Sequence, residues 1–260
     1  MSAFLDSIHG TIDRRILLNY RVTPEALQRV LPKPFRPKLY NGVGIAGVCM
    51  IRFTALRPRY VPAWLGLGSE NAAHRIAVEW VADGVRYEGV YIPQRNTNSV
   101  LNRVLGGRVF PGIFTGARFE SSDSDEAVGL RISHADGTPE VSFRGTLASQ
   151  LPTSSVFPDL DAAAGFFSLG ATGYSATHQP NHFHGMELHS RNWAVTPLKV
   201  EEHFSRYFAD RSRFPTGAIE LDCALLMRGI AHEWRSRPDL YAHGDVTSLS
   251  TTNRRVHASS

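Results

Sequence analysis

The stretch HRIAVEWVADGVRYEGVYIP, residues 74–93, decides the fold class. Two β-like runs flank Ala82-Asp83-Gly84, and Asp-Gly between such runs specifies a tight two-residue hairpin turn. That turn sets Glu79 opposite Glu88. Side chains alternate across a strand, so Arg75, Ala77, Arg86 and Val90 share the glutamates' face, while His74, Ile76, Val78, Trp80, Tyr87 and Tyr91 form the other. The second face reads as core.

Upstream of the hairpin, Thr23-Pro24-Glu25-Ala26-Leu27 reads as a helix start, with Thr as cap, Pro in the first turn and Glu at the positive end of the dipole. Pro32 stops the helix, LPKPFRPKLYNG is a proline-rich connection, and VGIAGVCMIRF is apolar enough for a buried strand. Residues 42–47, GVGIAG, satisfy G-x-G-x-x-G, but a dinucleotide site needs a strand before the glycines and a helix after them. Here strand-like VCMIRF follows, so the match is a coincidence. Downstream, ARFES, AVGLRISH and VSFRGTLASQL form a meander with turns at SSDSDE and ADGTPE. Asp159–Leu169 is a second helix closed by Gly170; WAVTPLKVEEHFSRYF reads as a further strand, and AIELDCALLMRGI as a buried apolar segment. No repeat or linker splits the chain: one domain is expected over residues 1–247, with 248–260 a frayed tail.

A chain of 260 residues with 42% hydrophobic and 20% charged residues is composed as a globular protein with a sizeable core. No run approaches the roughly 18 apolar residues of a membrane span, and MSAFLDSIHG lacks the basic and apolar regions of a signal peptide. A cytoplasmic protein without a membrane partner is expected. Cys49 and Cys223 sit in apolar contexts with no C-x-x-C spacing and read as buried thiols. The net charge of +4 is scattered rather than blocked, which argues against nucleic acid. The basic residues are 25 Arg against three Lys, Lys33, Lys38 and Lys199, and only a lysine amine can form a Schiff base.

Glu79 and Glu88 could make a carboxylate dyad, but Arg75 and Arg86 on their face favour a cross-strand charge ladder. Arg95 and Asn96, in YIPQRNTN at a strand end, are candidates for holding a carboxylate, with Arg75 and His74 at the same mouth. His74, on the aromatic face, equally suits a core position. The histidines His178, His182, His184 and His189 fall within THQPNHFHGMELH, and His182-x-His184 places two imidazoles on one side of a strand. This is compatible with a metal, though without a zincin or Cys/His spacing; ordinary strand and loop histidines are the favoured reading. There is no G-x-S-x-G elbow, P-loop or Cys-His pair, so covalent hydrolysis has no support.

With the Phe-Pro turn of GGRVFPGIFTGARFE placed after the hairpin, the chain resembles the acetoacetate-decarboxylase-like superfamily, and within it the uncharacterised bacterial YqjF-like branch. NYRVTPEALQRVLPKPF, SENAAHRIAVEW, GVYIPQRNTNSVLN, LGATGYSATHQPNHFHGMEL, DRSRFPTG and LDCALLMRGIAHEW carry the resemblance over nearly the whole chain. It implies a mainly antiparallel β fold (α+β), a closed cone-like β-barrel with short peripheral helices, whose interior holds a small organic acid. In the decarboxylase the turn matching Phe110-Pro111-Gly112-Ile113 carries two adjacent lysines, one forming the Schiff base; here Gly112 and Ile113 stand there. Lys33 and Lys38 lie in an exposed loop, and Lys199 is a poor substitute. Glu70 aligns with a cavity glutamate, whereas a second family glutamate has no counterpart: residues 26–69 contain no Asp or Glu but carry Arg29, Arg36, Arg52, Arg57 and Arg59 beside two lysines, so Glu70 equally suits an ion-paired structural carboxylate.

The expectation is therefore a small carboxylate or carbonyl compound processed by non-Schiff-base proton transfer of the lyase or isomerase type. Glu70 would move the proton, Arg95 with Arg75 would hold the anion, and no cofactor would be needed. Two alternatives stay open: a non-catalytic binding protein or sensor using the same cavity, and a metal-dependent enzyme using the histidines. A homo-oligomer is compatible with either.

Overall fold

A computed structural model describes residues 7–58, 60–99, 112–190, 193–243 and 246–250. The chain opens with β1 (Ser7–Val22), α1 (Pro24–Val30), the short β2 (Arg36–Pro37) and β3 (Leu39–Tyr40), and the long β4 (Val43–Pro58). β5 (Leu67–Ala82) and β6 (Val85–Thr97) follow, then β7 (Phe114–Gly116), β8 (Arg118–Asp123), β9 (Ala127–Ser133) and β10 (Pro139–Leu147). The last third holds α2 (Leu160–Leu169), β11 (Thr172–Ala176), β12 (His182–Ser190), β13 (Thr196–Ser205), α3 (Arg206–Ala209), the 25-residue β14 (Ile219–His243) and β15 (Val246–Ser250). The protein is mainly β, and the pairings are antiparallel except for β11 with β6 and β6 with β7.

The hairpin forms as its turn dictates. Asp83 and Gly84 take φ of 49° and 77°, the two positive values of a type I′ turn, and Glu79 pairs with Glu88. Its glutamates form a charge ladder rather than a dyad: Glu79 meets Arg86 at 3.5 Å and Glu88 meets Lys38 at 2.8 Å. Residues 43–47 of GVGIAG lie inside β4, with Gly42 in the preceding turn at a φ of 82°, and α1 and α2 form where expected, although the Thr23 side chain makes no capping hydrogen bond. Asp159 accepts a hydrogen bond from the Ala162 amide at 2.8 Å, and Gly170 closes α2. WAVTPLKVEEHFSRYF stays extended only to Ser205 and then turns helical, so that Tyr207 and Phe208 enter the core. AIELDCALLMRGI is the first half of β14, buried because β1 lies along one edge and β13 along part of the other. Ser248–Ser250, expected in a frayed tail, pair with β14 through β15.

Hydrogen bonding runs β1-β4-β5-β6-β11-β12-β14 and returns to β1; from β14 a second branch runs β13-β10-β9-β8. Each face of these strands carries a core. Ile16, Val48, Ile76, Trp80 and Phe183 meet Leu130 and Phe143 of the second branch, with Phe35 inserted against Tyr91 and Phe183. On the opposite face Leu17, Cys49, Ala77, Cys223 and Leu225 pack beneath Ala163 and Phe167 of α2. Both thiols are free and buried. Among the described residues no helix is long and apolar enough to cross a membrane.

One irregularity decides where the polar side chains point. His74 pairs with Gln94 but Ile76 pairs with Tyr91, so Ile92 and Pro93 together oppose Arg75 in a bulge. Proline suits such a site because it has no amide to donate to the ladder. The extra residue moves Arg95 onto the face of Ala73 and Arg75, and Asn96 onto the face of Ala72 and His74.

Candidate functional site

The residues nominated from the sequence divide between the two faces. Glu70, His74 and Asn96 belong to the first, with Arg14 and Arg52 as cross-strand neighbours of Glu70. Both carboxylate oxygens of Glu70 are taken: Arg14 Nη2 donates to one at 2.7 Å and Arg52 Nε to the other at 2.8 Å. The same two arginines reach Asp123 at 2.7 and 2.9 Å, and Arg52 also reaches Asp13 at 3.3 Å. Burial lowers the Arg52 guanidinium, but Glu70 and Asp123 outweigh it and hold it above its ordinary value. Glu70 is thus clamped within a charge network rather than presented to a cavity.

His74 is a core histidine. It hydrogen-bonds Ser205 Oγ at 3.0 Å beneath Tyr207 and Phe208, and burial, aided by repulsion from Arg213, pushes its pKa down to about 3. Asn96 is fully buried, with neither amide atom hydrogen-bonded among the described residues. On this face the sequence reading missed Glu140, buried and meeting Gln94 at 2.7 Å and His134 at 2.9 Å.

The opposite face holds a different set. Arg95 donates from Nε and Nη2 to Ser175 Oγ at 3.2 and 3.1 Å and stacks over Phe114. Arg75 donates to Asn19 Oδ1 and lies over Phe167, its Nε without a partner among the described residues. Arg15 donates from Nε to Cys49 Sγ at 3.2 Å and stacks on Trp193. None of the three has a carboxylate partner among the described residues. Burial lowers both Arg75 and Arg95 to about 10; the Cys49 sulfur opposes this at both, and Arg15 adds repulsion at Arg75. Burial pushes the Cys223 thiol up. Arg15, Asn19 and Ser175 were not foreseen, because they come from strands distant in sequence that only the pairing order brings together.

Gly112, in the turn that the sequence resemblance matches to the lysine turn of the decarboxylase, touches this second group. Gly112 has φ of +98°, and a Cβ there would stand 2.7 Å from Ser175 Cβ and 3.3 Å from Arg95 Nε. A side chain has no room while Arg95 and Ser175 hold their places. Ile113 is exposed, and Phe110 and Pro111 lie outside the described residues. Lys33 and Lys199 are exposed and Lys38 is engaged by Glu88. Clefts of about 260 Å³ over β8–β10 and about 180 Å³ beside α3 contain none of these arginines.

Among the histidines, His182 Nε2 meets Asp239 Oδ2 at 3.0 Å and His184 Nδ1 meets Asp239 Oδ1 at 2.9 Å. Desolvation raises the Asp239 carboxyl, but the hydrogen bonds with His184 and His182 more than reverse it and leave it below its ordinary value. His178 is exposed and outside this cluster, and His189 pairs with Glu187 at 2.7 Å. Asp239 lies on β14, more than fifty residues along, where no local spacing could announce it.

The family model DUF2071, described as an uncharacterized conserved protein, matches residues 10–225. The chain belongs to the DUF2071 family. No curated protein sequence matches it significantly. As a DUF2071 member it shares its fold with solved structures of the acetoacetate decarboxylase type. Acetoacetate decarboxylase from Legionella pneumophila is 13% identical with a TM-score of 0.55, the match covering 89% of this chain and 87% of that one. An acetoacetate decarboxylase-like enzyme from Sphingomonas wittichii is 12% identical, with a TM-score of 0.56 and coverage of 94% and 93%. The enduracididine biosynthesis enzyme MppR, complexed with pyruvate, is 10% identical, with a TM-score of 0.55 and coverage of 88% and 87%. At such identities the likeness is one of fold.

Proposed function

We propose that this protein holds a small organic carboxylate inside a cone-like barrel formed by the closed pairing circuit, gripping it with Arg95, Arg75 and Arg15 and forming no Schiff base. The observation that carries this reading is the group of three guanidiniums facing one core without a carboxylate among the described residues. Buried cations are ordinarily paired, and an unpaired one is costly. A bound anion supplies the missing charge, and a planar guanidinium is shaped to take a carboxylate by two parallel hydrogen bonds. Oxo acids are the favoured class, because the fold relatives are named for acetoacetate and for a complex with pyruvate. Among the described residues the hydrogen-bond and ring partners of Arg75 and Arg95 are Asn19, Ser175, Phe167 and Phe114, none of which is a base. Both oxygens of Glu70 accept hydrogen bonds, from Arg14 and Arg52, on the face opposite to the three guanidiniums. Binding without turnover, as in a carrier or sensor, is therefore favoured over proton transfer by Glu70.

Calorimetric titration with pyruvate, acetoacetate and a short dicarboxylate, each beside its neutral amide, tests the reading. Acids should bind and amides should not, and Arg95→Met should weaken the acids at least tenfold. Equal binding of acid and amide, or unchanged affinity in Arg95→Met, would remove the proposal.

A further inference from the structure

We infer that His182, His184 and Asp239 form a site for one divalent first-row transition-metal ion. Each oxygen of Asp239 faces one imidazole nitrogen, at 3.0 Å for His182 Nε2 and 2.9 Å for His184 Nδ1. Ligands at about 2.1 Å from a metal stand about 3.0 Å apart when they subtend a right angle and about 3.4 Å at the tetrahedral angle. Each spacing, taken to its own carboxylate oxygen, is the size of a right-angled ligand pair. One ligand atom from each of the three residues lies within 4.8 Å of the others, against about 4.2 Å for two opposed ligands at that bond length, so closure needs sub-ångström shifts. Two neutral imidazoles and one carboxylate supply a single negative charge and borderline donors, which suits zinc, iron, manganese or nickel.

The surroundings hold these side chains in place. His182 pairs with Tyr241 and Phe183 with Leu240, so continuing that register sets Asp239 across from His184 on the face His184 shares with His182. The Thr177 hydroxyl lies 3.3 Å from His182 Nδ1, leaving Nε2 for the cluster, and Tyr241 stacks on the ring with centroids 4.4 Å apart. Such partners fix which ring nitrogen is offered to a metal.

The cluster also borders the arginine group. Ser175 pairs with His184 in the strand register and accepts both hydrogen bonds from Arg95. An ion beside it lies one strand from the arginine, placed to draw electron density from a carbonyl oxygen, the role left vacant by the missing lysine. This last step rests on the carboxylate reading; the metal site itself does not.

Cobalt(II) titration of untagged, chelator-stripped protein, followed by visible absorbance, tests the site. We expect one saturable equivalent in the wild type, weakened about 100-fold or more in His184→Ala and in Asp239→Asn, and retained in His178→Ala and Arg95→Met. Retention in Arg95→Met with loss of pyruvate binding would show the two readings to be separable. Absence of saturable binding to the wild type, or full affinity in Asp239→Asn, would overturn the inference. Should the variants fail to fold, nitrogen chemical shifts of the wild-type imidazoles with and without zinc decide it. Shifts of His182 Nε2 and His184 Nδ1 support the site, and unchanged shifts refute it.

Discussion

Replacing Arg75 with Met should leave the ligand-free protein about as stable as the wild type, or slightly more so, whereas replacing Arg14 with Met should be severe. Lowering a guanidinium from 12.5 to about 10 corresponds to roughly 3 kcal/mol against the charged form. The folded-state value lies below the unfolded one, so this cost is present at every pH below about 10 and fades only as pH rises through it. Met would forfeit the hydrogen bond to Asn19, about 1–2 kcal/mol, and keep a sulfur–aromatic contact with Phe167 of about 1 kcal/mol. The net change should be within about 1–2 kcal/mol of zero, on the stabilising side. Arg14, fully buried, instead neutralises Glu70 and Asp123; its loss would leave both to Arg52 alone and should cost about 3 kcal/mol, the lower end for a broken buried pair. Urea denaturation of the three proteins reads both effects as midpoint shifts at constant slope. With a carboxylate at 100 times its dissociation constant the wild type should gain about 2.7 kcal/mol and Arg75→Met much less. A loss in Arg75→Met comparable with that in Arg14→Met would mean that Arg75 already has its counter-charge, and the case for an exogenous anion would fall.

Acid should weaken the fold before most carboxylates titrate. Burial holds His74 at about 3 and His232 at about 4, so between pH 6.5 and those values the unfolded chain binds protons that the folded one refuses. Stability should be fully present above pH 6.5 and fall by about 2 kcal/mol per histidine by pH 5, with His74→Gln flattening the slope by about half; a level profile from pH 7 to 5 would contradict this. Borohydride added with pyruvate or acetoacetate should leave the intact mass unchanged, since no lysine stands beside Gly112; a reduced adduct on Lys199 would restore imine chemistry.

What could be read from the sequence was local. Asp83-Gly84 fixed a hairpin, Asp159 and Gly170 bracketed a helix, and the alternation of His74, Ile76, Val78 and Trp80 marked a core face, each through chemistry contained within a few residues. The chain's likeness to the acetoacetate decarboxylase fold was legible through longer motifs. The site was legible only as a list of residues. Extending strict alternation past Tyr91 puts Arg95 beside Glu70, and the bulge at Ile92 and Pro93 reverses that. Glu70 was nominated from its alignment, with an ion pair to the upstream arginines, Arg52 among them, as the alternative; its other captor, Arg14, lies on β1, where no local pattern announces it. Arg15, Ser175 and Asp239 join their partners through pairings that no local pattern encodes.

The pairing of β1 with β14 joins residues 197 to 228 positions apart along fifteen matched pairs. During synthesis β1, β4, β5 and β6 emerge as successive neighbours, yet the free edge of β1 has no partner until nearly all of the chain has left the ribosome. For most of translation that edge offers unmatched amides and carbonyls to any extended segment nearby. Closure of the circuit is necessarily a late, long-range event, so folding should be slow for a chain of this size and sensitive to truncation near Arg235.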